Sequence, residues 1–162
     1  MATANIKITI PAFTAPFSPP GPDGTVALAN CLPTDMVLES GPATVTVTAP
    51  VPATATTPYE FGKIAITGTD PVRLGFTVVD AGGGAYAECG LVFTTGLIDA
   101  KGKDAFPDFI VDDDGLLVTD ADAFRGNFSF LLLIQNSNFG MGLVDPQISN
   151  QTAPKPGPGT GP

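Results

Sequence analysis

The chain has 162 residues and a formal charge of −9, with 16 Asp and Glu against 7 Lys and Arg. That balance excludes nucleic-acid binding, whose affinity rests on basic side chains, and disfavours an anionic membrane surface. Hydrophobic residues at 43%, charged residues at 14% and a mean hydropathy of +0.26 exclude a disordered chain, and the length suits one domain with its own core.

Gly (19) and Pro (17) exceed a fifth of the chain without a collagen-like period, so they read as turns, edges and tails. "NIKITI" sets Ile6, Ile8 and Ile10 on one face and Lys7 and Thr9 on the other, which predicts a half-buried strand. "PAFTAPFSPPGP" (11–22) ends it, because proline removes ladder donors, and reads as an extended arm. Short strands are predicted at 25–30, 36–39 and 43–50, the last with Val45, Val47 and Ala49 inward. "VPATATTP" (51–58) is a linker or edge crossing. In "YEFGKIAITG" (59–68) the alternation breaks phase at Gly62, which predicts a bulge.

Strands follow at 72–80 and 85–95, then on both sides of an acidic stretch, and then in "NFSFLLLIQN" (127–136). This last segment carries Phe128, Phe130, Leu132 and Ile134 on one face and Leu131 and Leu133 on the other, so it is expected to be central. Strand-length segments with Gly, Pro and Asp turns, and no sustained 3.6-residue period, predict an all-β, single-domain antiparallel β-sandwich. We expect an Ig-like or Greek-key arrangement of roughly 8–10 short strands over 1–152, with a Pro/Gly-rich tail at 153–162.

The acidic stretch "IVDDDGLLVTDAD" (110–122) is the best candidate for a site. An EF-hand aligned on Gly115 would place Ile110 at its first ligand and Ala121 at its last, so that motif fails. A looser Ca²⁺ site could draw on Asp112, Asp114, Asp120 and Asp122, since calcium accepts oxygen ligands in varied geometry. The stronger reading is a hairpin with Asp114-Gly115 as its two-residue turn, opposing Val111 to Val118 and Phe109 to Asp120, with the other acids at a strand end or facing solvent.

Enzyme chemistry has little to stand on. Histidine is absent, which removes Ser-His-Asp and Cys-His devices and the common metal centres. Carboxylate pairs are inevitable among thirteen Asp, but no Trp and only two Tyr are present to line a sugar cleft. "DAGGGAY" (80–86) lacks a phosphate-binding lysine. Cys31 and Cys89 could form one disulfide, but read as two reduced thiols. Lys7 and Lys63 read as solvent-facing strand residues rather than isopeptide donors. "MATANIKITI" lacks a secretory n- and h-region, which predicts a cytoplasmic protein or export by a signal-less route, and gives the sequons at Asn127 and Asn150 little weight. No run is long enough to span a membrane as a helix.

Residues 112–151 run through an acidic turn, a strand, "DAD" and a long apolar strand to close on "DPQISN". This resembles the DP-EP family of small bacterial proteins, whose domains end in a similar Asp-Pro-Gln-Ile-x-Asn close, here beginning at Asp145-Pro146. A fainter likeness is to bacterial inclusion-body proteins, small β-sandwiches ending on a comparable Asp-Pro segment. The resemblance implies a compact β-sandwich and assigns no activity to any residue.

Two functions follow. One is a non-enzymatic structural or self-assembling protein, a filament, shell or inclusion subunit, whose partner is itself or another protein. Strand 5–10 could then augment a neighbour's sheet, and the arms 11–22 and 153–162 could lie across it. The other is a small binding module, calcium-dependent through the acidic loops. No cofactor other than Ca²⁺ is expected.

Overall fold

A computed structural model describes residues 1–93, 106, 108–112, 115–121, 126–145 and 147–150. Twelve strands and no helix are found among these residues. In chain order they are β1 (Ala2–Ile10), β2 (Ala29–Asn30), β3 (Asp35–Ser40), β4 (Val45–Thr48), β5 (Lys63–Ile66), β6 (Val72–Asp80), β7 (Ala85–Phe93), β8 (Asp108–Asp112), β9 (Gly115–Asp120), β10 (Gly126–Gln135), β11 (Met141–Val144) and β12 (Gln147–Asn150).

The strands share one mixed sheet whose main path runs β3-β1-β6-β7-β10-β12-β5-β4. Its two end strands, β3 and β4, return beside each other without a hydrogen-bonded ladder, so the sheet is a nearly closed barrel. The all-β expectation is met, but the purely antiparallel sandwich is not: β1 with β6, β5 with β12 and β2 with β11 are parallel. Parallel partners need long crossovers, and the stretches 11–71 and 67–146 supply them for β1/β6 and β5/β12.

The period-2 patterns set the core. Ile6, Ile8 and Ile10 of β1 are at most 1% exposed, and Leu74, Phe76 and Val78 of β6 face the same interior. In β10, Phe128, Phe130, Leu132 and Ile134 are buried while the outward Leu131 and Leu133 are half-covered. Phe76 and Phe130 meet across the interior with ring centroids 5.6 Å apart. As expected, β10 is central: β7 lies along one edge, and β11 and β12 share the other.

Several expectations change here. β1 is hydrogen-bonded on both edges, to β3 and β6, so residues 5–10 are not free to augment a neighbour. Of the strand expected at 25–30, only Ala29–Asn30 pairs. Gly62 marks a close approach rather than a bulge, since a Cβ there would overlap the Met36 sulfur and press on Pro50. Register shifts occur instead at Asn5/Ile6 and at Leu133/Ile134, the second beside Cys89. Cys31 is buried, Cys89 is exposed, and both are free. Lys7 lies on the outer face and pairs with Glu39 at 3.2 Å.

Candidate functional site

The acidic hairpin is real but shifted by one residue. Asp112 pairs with Gly115 and Val111 with Leu116, so Gly115 belongs to a strand and the register is not the one an Asp114-Gly115 turn would give. Pairing with β6 fixes β9, where Leu116 opposes Phe76, Val118 opposes Leu74 and Asp120 opposes Val72. Because Leu116 and Val118 point inward, Asp120 does too by strand parity, and it is fully buried rather than solvent-facing. That parity was visible in "LLVTD".

Asp112 and Asp120 lie at opposite ends of the hairpin. Five residues at roughly 3.3 Å each separate Gly115 from Asp120, about 17 Å, far beyond what one calcium ion bridges. Asp114 and Asp122 lie outside the described residues. Among the described residues no group of three or more His, Cys, Asp or Glu could hold a metal ion.

A different feature, which the sequence reading took for a free arm, is built with more care. The proline-rich segment after β1 folds back on its own domain as a strap. Asn136, just past β10, is 7% exposed, and its Nδ2 donates to the carbonyls of Phe13 (3.1 Å) and Ala15 (2.8 Å). Its Oδ1 accepts from the backbone N–H of Asn138 (2.9 Å) and Gly140 (2.8 Å). Asn138 Nδ2 donates to the Thr14 carbonyl at 2.9 Å, and the Phe17 N–H donates to the Asn138 carbonyl at 3.2 Å. Underneath, the Phe13 ring stacks on Tyr86 at 5.2 Å, and the Phe13 N–H donates to the Tyr86 hydroxyl at 3.3 Å. Tyr86 in turn donates to Asp80 Oδ2 at 3.0 Å, while Asp80 Oδ1 accepts from the N–H of Gly82 and Gly84. The Gly84 backbone bond and the Tyr86 bond hold the Asp80 carboxyl below its usual range.

Two glycines let the strap sit this close. A Cβ on Gly140 would overlap the Ala15 carbonyl oxygen, and one on Gly142 would press on the Cys31 sulfur and the Phe13 ring. Just before them the turn carries Phe139 at φ 64, the one positive-φ residue other than glycine among those described. A bulky side chain there is strained, and such strain persists only where the surroundings impose it.

The outer surface of this construction is apolar. Phe139 is 67% exposed, Phe17 51%, Val26 46% and Leu28 42%. Pro16, Ser18, Ala27, Leu28, Gly140 and Met141 line a hollow of ≈210 Å³ among them. Residues 135–144 carry no charge, and residues 11–34 carry only Asp23, whose carboxylate is tied to the N–H and hydroxyl of Thr25. A larger cleft of ≈590 Å³ opens at the opposite end of the barrel, between Met1, Pro42, Thr44, Gly68, Asp70 and Val72.

No family model matches the sequence, and neither does any curated protein. The likeness to the DP-EP family therefore rests on the sequence pattern of residues 112–151 alone. In structure the chain is similar to an inclusion body protein, PixA of Burkholderia cenocepacia, with a TM-score of 0.50 and 13% sequence identity over 93% of this chain and 95% of that one. At that identity the likeness is one of fold.

Proposed function

We propose that this protein is a non-enzymatic structural subunit that associates with copies of itself. The observation that carries this reading is the strap face: aromatic-tipped, rigidly hydrogen-bonded and built from segments with a single charge, Asp23, on a molecule of net charge −9. Exposed apolar clusters with a polar surround are the usual signature of protein contact surfaces. The similarity of fold to an inclusion body protein supports the same reading. An inclusion or lattice subunit would use a well-packed barrel and a surface that meets its own copies, and the continuous buried core together with the apolar strap face supports that reading.

Light scattering coupled to size-exclusion chromatography, run over a hundredfold range of concentration, tests the reading. Mass should rise with concentration, and electron micrographs at the upper end should show ordered particles. A mass fixed at that of one chain throughout would overturn it.

A further inference from the structure

We infer that two copies pair through the strap face in a closed two-fold contact, with the Phe139 ring of each copy seated in the hollow of the other. This deepens the self-association proposed above and rests on it.

The knob and the hole are adjacent. Phe139 is followed directly by Gly140 and Met141, which line the hollow together with Pro16, Ala27 and Leu28. A two-fold contact needs knob and hole in one self-complementary patch, and their adjacency here supplies that. The hollow measures ≈210 Å³, and an apolar cavity of about 150 Å³ is enough to bind benzene. Its walls are proline, alanine, leucine and methionine side chains with one serine and one glycine, so a phenyl ring suits it better than a polar group.

Preorganisation points the same way. The backbone at φ 64 closes the turn, with the Phe139 N–H donating to the Asn136 carbonyl and the Asn136 carboxamide holding Asn138 and Gly140, while the Phe139 ring itself stays largely exposed. A ring already held in place loses little conformational freedom on binding.

Charge selects the occupant. Two copies carrying −9 each repel wherever acidic surfaces meet. The segments forming this face contribute a single charge, Asp23, already engaged with Thr25, so repulsion between two copies is least where they meet through this face.

The experiment measures association of the full chain by analytical ultracentrifugation for the wild type, Phe139→Gly and Ala27→Phe. Phe139→Gly removes the knob and relieves the positive-φ strain, so its melting temperature should hold or rise while association weakens at least tenfold. Ala27→Phe fills the hollow without adding charge and should weaken association to a similar degree. If the wild type associates and both variants associate equally well, the two-fold contact is wrong while self-association stands. If the wild type never associates, both the contact and the self-association fail.

Discussion

The strap shows how much one buried side chain can organise. Asn136 uses two donor bonds and two acceptor bonds to join β10, its turn and residues 13–15. Asn136→Ala leaves two carbonyls and two N–H groups without their side-chain partner. The expected cost is about 2–3 kcal/mol, seen as a lower urea midpoint at unchanged m, with new proteolytic cleavage between residues 14 and 20. Phe139→Gly should do the opposite. Its side chain buries little and its backbone is left-handed, so relief of about 1 kcal/mol is expected, read as a higher urea midpoint. That rise would mean that Phe139 serves something other than the stability of the single chain.

The strands show where pattern reading succeeds and where it stops. Alternation located β1 and β10 and identified their buried faces, because a strand's two faces are written locally in period 2, and composition with turn residues located β3 and β6. Which strand lies beside which is not local. The parallel pairing of β1 with β6 depends on residues more than sixty positions apart, and no short motif encodes it. The strap was missed for a related reason: "PAFTAPF" reads as an arm until Asn136, over a hundred residues later, supplies its partners. The acidic hairpin was legible, but its register was set by β6 and not by the Asp-Gly turn signal.

One junction between strands predicts a pH response. β6 is shared between β9 at Val72–Phe76 and β7 at Val78–Val79, and the Glu88 carboxylate accepts the Val78 N–H at 2.7 Å where the ladders part. Burial raises the Glu88 carboxyl above its ordinary 4.5, and burial likewise raises Asp145 above 3.8. Both groups hold their protons more tightly in the folded state. Their stabilising contribution is therefore full below the ordinary values and is lost as pH rises through the raised ones. Asp80, held below 3.8, works oppositely and loses its contribution only in stronger acid. Melting temperature should therefore rise as pH falls from 7 towards 4.5 and decline only at lower pH. Glu88→Gln keeps an acceptor for Val78 and should flatten the upper part of that profile. Both sites retain partial contact with water, so the change should be small, roughly 1–3 °C.

At the scale of the whole molecule, net charge and the neutral face pull against each other. Repulsion between copies of charge −9 is long-ranged and screened by salt, whereas apolar contact is short-ranged. Self-association should strengthen as ionic strength rises from about 0.01 M to 0.5 M, over which the screening length shrinks several-fold. An interface of ion pairs would weaken over the same range, so sedimentation at several salt concentrations separates the two. The parallel seam between β5 and β12 has a further consequence, in time rather than in space. β5 precedes its partner by some eighty residues, and its outer strand β4 is in place long before β12 arrives. Until Ile148 reaches Ile64, one edge of β5 stays bare and the barrel cannot close, and such long-range closure makes folding slow. The folding chain thus shows its neighbours a raw sheet edge that the finished molecule conceals. Deposits formed through that edge would be made of unfinished barrels, whereas those formed through the strap would dissolve back into native protein.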